Sequence, residues 1–344
     1  MQDKIYFIRQ KYTPFGGAER YLKRLTKELE KLDISYEILS LKAPKFLPSW
    51  LKAIIFNLQM CLFKKGFYFS LDRISCPDIY RAGDGVHKVF LKTKKRTLNP
   101  LNPIYLYLEK RAFLNAKYII ANSKKVKNEI VSTYQIDPDK IEVIYNGIEI
   151  KDFDEKRAKE EIREEFGLEP HKKIILFVGS GFERKGVKEL LSLLSHIKSP
   201  FYAFIVGKEK KIKRYKEMAK KLNIENHIFF TGAREDVEKF FTASDIFIFP
   251  TKYEPFSNVV LEAMSFKSAV ITTIQNGASE VLSKDFVMNS PNDLTIIDKV
   301  EKLLNDEKYL QDVKNSNLQI AKKFSIENNA KQTIQLVKKA VKKR

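Results

Sequence analysis

Short, almost wholly apolar runs alternate with amphipathic ones from the start of the chain. "KIYFIR" is followed by residues 18–32, where Tyr21, Leu22, Leu25 and Leu29 recur at helical spacing, and then by "SYEILSL". This is the βαβ rhythm of a parallel sheet. "AKYIIANS", the helical "KKVKNEIVSTY" and "IEVIYNGIE" continue it, and the Asn146-Gly147 pair marks a turn. The rhythm restarts with "KKIILFVGS", a helix over 187–197, "YAFIVG", a charged helix through Lys221, "HIFFTG", a helix near Val237, "DIFIFP" and "SAVITT". Strands apolar at nearly every position belong to a sheet covered on both faces. The pattern predicts an α/β chain of two doubly wound parallel-sheet domains, 1–150 and 151–320, facing a cleft, with a basic C-terminal helix over 321–344. Ligands of such sheets bind outside the carboxyl ends of the strands, so chemistry is sought in the strand-to-helix loops.

Composition agrees with two globular cores: 344 residues, 44% of them hydrophobic. The net charge of +20 calls for an anionic partner: nucleic acid, a phosphorylated small molecule or a membrane surface. Two cysteines, Cys61 and Cys76, make no disulfide framework, and they read as structural thiols of a protein in a reducing cytoplasm. The beginning "MQDKIYFIRQ" lacks an apolar segment of signal-peptide length, and no run of 18 uncharged apolar residues occurs, so neither a cleaved signal nor a membrane span is expected.

Three loops carry candidate chemistry. In "RQKYTPFGGAER", Gly16 and Gly17 stand where backbone N–H groups approach a phosphate at a helix N-terminus; a tight turn is the other reading, and the spacing does not match a nicotinamide fingerprint. In "VGSGFERKGV", Gly181 supplies flexible backbone beside Arg184 and Lys185, adjacent cations suited to clamping a diphosphate, or else a solvated pair. In "KYEPFSNVVLEAM", Pro255 precedes a helix starting near Ser257, whose N–H groups at Phe256, Ser257, Asn258 and Val259 offer a second anion site. Glu254 before that helix and Glu262 within it stand roughly 10 Å apart by the helical rise, a separation suited to a sugar and a ribose, whose vicinal hydroxyls donate to carboxylates. An exposed pair with Glu254 stabilising the helix start is the alternative.

In order along the chain, "FGGAER", "VIYNGI", "GSGFERKGV", "YEPFSNVVLEA" and "NGASEVL" resemble the landmarks of glycosyltransferase family 4, the retaining GT-B enzymes, and are most similar to those of lipopolysaccharide core glucosyltransferases. The resemblance spans nearly the whole chain. It implies a UDP-sugar, UDP-glucose first, between the domains, and a C-terminal helix returning to the N-terminal domain. Glu262 would hold the ribose and Glu254 the sugar hydroxyls. Arg184 and Lys185 would neutralise the leaving diphosphate, helped by the Gly16-Gly17 loop and by Ser257, and the base would rest near Ala233 and Arg234. Attack on the front face, with the leaving phosphate taking the acceptor's proton, needs neither a covalent nucleophile nor a cofactor.

The acceptor side is read from "YRAGDGVHKVF", where the resemblance places Asp84 at the acceptor hydroxyl, with His87 as its rival. The D-x-D of residues 137–139 reads as a proline turn, and no metal is expected. Residues 88–117 carry eight Lys and Arg against Glu109 alone, interleaved with Phe90, Tyr105, Tyr107 and Phe113, which suits an anionic lipid surface. Residues 50–67 read as an ordinary buried helix, with membrane or acceptor contact as the other possibility. Transfer of a hexose to a lipopolysaccharide-core or other envelope glycan acceptor, at the cytoplasmic face of the membrane, is the expected function. A UDP-sugar isomerase of the same fold and a basic nucleic-acid module are the alternatives; no nucleic-acid motif accompanies the charge, so no nucleic-acid partner is expected.

Overall fold

The structure is a computed structural model and describes residues 4–11, 17–93 and 98–342. The chain divides into two compact units, residues 1–147 with 326–344, and residues 148–325.

In the first unit the described residues form six parallel strands, β1 (Ile5–Ile8), β2 (Tyr36–Leu39), β3 (Phe67–Ser70), β4 (Ile79–Ala82), β5 (Tyr118–Ala121) and β6 (Ile141–Val143), in the order β2-β1-β3-β4-β5-β6. Their helices are α1 (Gly17–Lys31), α2 (Ser49–Leu62), α3 (His87–Lys92), α4 (Leu101–Asn115) and α5 (Lys124–Tyr134). β3, β4 and β5 are buried at every position, because helices cover both faces of a sheet whose strands are apolar on both. The alternation in the sequence foretells the parallel sheet but passes over β3 and β4. "FYFS" follows α2 after only Phe63, Lys64, Lys65 and Gly66, and reading residues 50–67 as one helix absorbs its start.

The second unit opens with α6 (Glu155–Phe166) and repeats the architecture. Its strands are β7 (Lys173–Val178), β8 (Phe201–Val206), β9 (Ile228–Gly232), β10 (Ile246–Phe249), β11 (Ala269–Thr273) and β12 (Val287–Met288), all parallel, in the order β12-β11-β10-β7-β8-β9. The helices that follow are α7 (Phe182–Lys185), α8 (Val187–Leu194), α9 (Ile212–Lys221), α10 (Val237–Ala243), α11 (Asn258–Ser265), α12 (Ile297–Asn305) and α13 (Glu307–Lys322). The last helix, α14 (Ile326–Lys342), returns to the first unit. Its Ala330, Ile334, Val337 and Ala340 join Leu22, Leu25 and Leu29 of α1 in one core cluster.

One expectation is overturned here. Cys61 at the end of α2 and Cys76 in the segment before β4 are joined as a disulfide across 15 residues, not held as two separate thiols. The path from α2 through β3 brings both sulfurs to one place, which spacing alone does not reveal. No described helix is long and apolar enough to cross a membrane.

Candidate active site

In the second unit the candidate loops leave the carboxyl ends of β7 and β10, neighbouring strands of the sheet. The chain leaves β7 through Gly179 and Gly181, makes the single turn of α7 and passes Gly186 into α8. Gly186 has φ +81°, and a Cβ there would lie 1.9 Å from the carbonyl oxygen of Pro250. Only glycine lets these two loops approach so closely. Across that contact Lys252 N donates to Arg184 O at 2.9 Å, and Thr251 Oγ1 donates to the same carbonyl at 3.1 Å.

The side chains converge at the same place. Arg184 Nη1 lies 2.5 Å from Glu254 Oε2 and 2.8 Å from Tyr253 O, and Lys185 Nζ pairs with that same Glu254 oxygen. Glu254 is itself fixed by its backbone, its N–H donating to Gln275 O and its carbonyl accepting from Gly277 N, at 3.1 and 2.9 Å. Lys185 is largely buried, with its ammonium 5.0 Å from the centre of the Phe249 ring. Burial and the neighbouring Arg184 push its pKa below the ordinary lysine value, against the pull of Glu254. Two cations thus close on one carboxylate at the end of a parallel sheet. An incoming diphosphate would find both charges already ordered and one of them poorly solvated.

Glu262 lies half-buried in the second turn of α11. Ser257 is the N-cap of α11, but its hydroxyl makes no capping bond. Its N–H is not open to a ligand, contrary to expectation. It donates to Oδ1 of the buried Asn276 at 3.2 Å, and that oxygen also accepts from Ala278 N at 3.1 Å. Asn276 of "NGASEVL" therefore ties the start of α11 to the loop after β11. Phe256 is buried, while Asn258 and Val259 are half-buried at the helix start. Arg234 is committed elsewhere: Asp236 takes its Nε and Nη2 at 2.8 and 2.9 Å, Glu165 lies 2.9 Å from Nη2, and the guanidinium packs over Phe240. Gly17 opens α1, and Gly16 lies outside the described residues.

In the first unit, Asp84 sits in the turn after β4, closed by Gly85 N donating to Ala82 O at 3.1 Å, with Gly85 at φ +72°. Its side chain is 67% exposed, and its Oδ2 lies 3.8 Å from Nη1 of the buried Arg73. His87 begins α3, with Nε2 3.3 Å from Asn102 Oδ1 and its ring edge-on to Tyr105.

The residue that organises this corner is Glu109, which sequence reasoning counts only as the lone acid among cations. It is wholly buried and accepts from Arg73 Nε at 3.1 Å, His87 N at 2.7 Å, Lys88 N at 3.3 Å and Tyr134 OH at 2.7 Å. It therefore caps α3 and holds Arg73 beside Asp84. Burial and the Glu109 charge push the Tyr134 phenol well above its usual range, so it stays a donor. A lone acid inside a basic amphipathic run is the only signal the sequence offers.

The interleaved aromatics of 88–117 also turn out differently. Phe113 is core, Phe90 and Tyr105 pack around His87, and of the four rings only Tyr107 is strongly exposed. Lys88, Lys92, Lys110 and Arg111 remain on the surface, while Lys94, Lys95 and Arg96 lie outside the described residues. Asp137 of the D-x-D stretch accepts from Asp139 N at 2.9 Å, so the segment is a capped turn.

Residues 158–319 match the family described as glycosyl transferases group 1, and residues 80–152 match glycosyltransferase family 4. The lipopolysaccharide glucosyltransferase WaaG of Escherichia coli is 26% identical over 223 residues, 60% of this chain and 58% of that protein. Aligned stretches span 56 to 60% of the lengths of this and comparable relatives, less than two thirds. Among solved structures, WaaG, a glycosyltransferase involved in lipopolysaccharide biosynthesis, superposes with TM-score 0.80 at 19% identity over 96% of this chain and 99% of its own. Anabaena HepE in complex with UDP-glucose gives 0.75 at 17% identity over 98% and 100%.

Proposed function

We propose, from the premise that this chain belongs to the GT-B glycosyltransferases, that it moves a hexose from a UDP-sugar to a glycan acceptor with retention at the anomeric carbon. Glucose is the first candidate sugar. A lipopolysaccharide-core or other cell-envelope glycan is the acceptor class, met at the cytoplasmic face of the membrane. Support for the donor comes from the convergence of Arg184 and Lys185 on Glu254 Oε2, the observation that carries the reading. A relative of 26% identity that acts on lipopolysaccharide supports the acceptor class.

The bond from the anomeric carbon to the diphosphate oxygen breaks, and the acceptor hydroxyl oxygen bonds to that carbon. The acceptor's proton passes to the departing phosphate oxygen. Negative charge grows on the diphosphate as the bond stretches, and cations fixed beside it stabilise that state more than the ground state. Arg184 and Lys185 are held by the loops after β7 and β10, so little reorganisation is needed when the charge appears. When diphosphate draws the cations, Glu254 is released toward the sugar hydroxyls. Glu262 takes the ribose, the start of α11 near Ser257 lies at the phosphates, and the base lies along the backbone at Gly232 and Ala233, since the Arg234 side chain is engaged.

Asp84 stands at the acceptor hydroxyl, kept in place by Arg73 and, behind it, Glu109. The substitution Asp84→Asn is expected to leave UDP-glucose affinity within about twofold and to cut turnover by about a hundredfold or more, as loss of a group acting on the reacting hydroxyl does. Calorimetric titration and product formation read the two quantities separately, and unchanged turnover removes Asp84 from the reaction. With two cations at the diphosphate, no metal is needed, and activity is expected to survive EDTA. Labelled UDP-glucose decides the class of reaction: a labelled glycan product supports transfer, whereas an epimerised UDP-sugar alone, or activity abolished by chelation, overturns this reading.

A further inference from the structure

Helix α2 is apolar on both sides, and among the described residues only one side is fully buried. Ala53, Phe56 and Met60 face the core of the first unit. Trp50, Ile54, Leu58 and Leu62 recur every fourth residue along the other side, a ridge about 18 Å long at the helical rise. Trp50 and Leu58 are exposed, and Leu62 and Phe63 at its end are 70% and 73% exposed. Phe46, just before the helix, is 85% exposed. A helix that is apolar all round is ordinarily buried all round. The expectation of an ordinary buried helix over 50–67 therefore holds for one face and fails for the other.

Charge along this stretch of the sequence is equally one-sided, with Asp78 and Glu37 entering from outside it beside Lys64 and beside Lys42 and Lys65. Asp and Glu make up 43 of 344 residues, one in eight, yet residues 38–71 contain none. The same stretch contains Lys42, Lys45, Lys52, Lys64 and Lys65. Lys64 pairs with Asp78, and Lys42, Lys45 and Lys65 are exposed. The ridge is also pinned at both ends. Lys52 Nζ donates to Lys45 O at 2.6 Å, Gln59 exchanges hydrogen bonds with the backbone of Lys42, and the disulfide from Cys61 ties the last turn to Cys76. These bonds hold the helix to the loop before it and to the segment before β4.

We infer that the outer face of α2 is a membrane-docking surface, which lies flat in the headgroup region of an anionic bilayer with Trp50, Leu58, Leu62 and Phe63 inserted and the lysines at the phosphates. A protein partner would not require that every acid be absent for 34 residues. An anionic lipid surface does, because each carboxylate brought to it is repelled while each nearby cation is attracted. The inference deepens the reading of a transferase acting on a membrane-bound acceptor, and it relocates the apolar contact from 88–117, where Tyr107 alone of the four rings is strongly exposed, to α2.

Trp50 is the only tryptophan in the chain, so its emission reports on this face alone. The full chain is mixed with vesicles of phosphatidylethanolamine and phosphatidylglycerol, and separately with phosphatidylcholine vesicles. Emission is expected to move to shorter wavelength, and the protein to float, with the anionic vesicles only. The triple variant Leu58→Gln, Leu62→Gln, Phe63→Ser removes only exposed side chains. It is expected to bind at least about tenfold more weakly while unfolding at the parent temperature. Leu62→Gln alone serves if the triple variant does not fold. Flotation with Trp50 emission unmoved overturns docking through α2 and leaves membrane association standing. No flotation overturns both, and neither outcome touches donor binding, which is measured without lipid. A blue emission that depends on protein concentration without vesicles assigns the face to a second copy of the chain and also overturns the proposal.

Discussion

The variant Lys185→Met is expected to lower kcat/KM for the nucleotide-sugar by about two to three orders of magnitude, the usual effect of removing one preorganised charge from a transition state. Its fold should survive. Glu254 keeps Arg184 as partner, so no buried carboxylate is left alone, and methionine replaces the lysine stem that packs against Gly179 and the ring of Phe249. A pH profile gives a second signature. The pKa of Lys185 is lowered, and its cation is the active form, so kcat/KM should be level near neutrality and fall as pH rises through a value below 10.5. Bound diphosphate raises that pKa, so the corresponding limb of kcat lies at higher pH. In Lys185→Arg, whose guanidinium does not titrate in this range, the alkaline fall should vanish. The stability effect has the opposite sign: the unfolded chain holds this proton more tightly, so this group's contribution to stability rises with pH between its lowered pKa and 10.5. Steady-state rates across the alkaline range test the assignment, and an unchanged kcat/KM in Lys185→Met removes the lysine from the site.

The second large effect is on stability and lies at the opposite, amino-terminal end of the same strands, β7 and β10. Lys314 of α13 is fully buried, with Nζ 2.5 Å from Glu155 Oε1 and 3.8 Å from Asp245 Oδ1. Lys159 of α6 bonds the same two carboxylates at 2.9 and 2.6 Å. Asp245, at the start of β10, also accepts from Ile174 N of β7 at 2.8 Å. Two cations and two carboxylates balance only while all four are present. Asp245→Ala leaves a buried ammonium underpaired and a strand N–H without its acceptor, and should cost about 3–5 kcal/mol. Urea unfolding of the whole chain measures the loss, and hydrogen exchange should show it in α6, β10 and α13. Burial raises the Glu155 pKa, but hydrogen bonds from Lys159 and Lys314 outweigh this and hold it below the usual carboxylate range. Its stabilisation is therefore present above pH 4.5 and is lost as pH falls through the lowered value.

Much of this molecule is legible along the chain. The glycine-bearing loop after β7 and the segment after β10 are marked by composition, because a strand that ends at a cation-rich loop and restarts in a helix breaks the apolar pattern where the backbone turns. What those loops do with their side chains is not marked. Glu254 reads equally well as a helix-start acid or as a site residue. Nothing local shows that Arg184, 70 residues earlier, meets it at 2.5 Å. Glu109 and Arg234 exchange the roles composition suggests. The isolated acid of a basic stretch is an internal anchor, and the arginine offered to a ligand is held by two carboxylates.

Sequence alone determined the two parallel sheets, the loops to search and the candidate residue types within them, because strand and helix periodicity and backbone turns depend on neighbours a few positions apart. Only the tertiary structure decided which charges meet, which apolar face of α2 is covered, and that Cys61 reaches Cys76. Those outcomes depend on burial and on contacts between distant segments, and a lysine or a leucine is written the same way in the chain whether water or protein surrounds it.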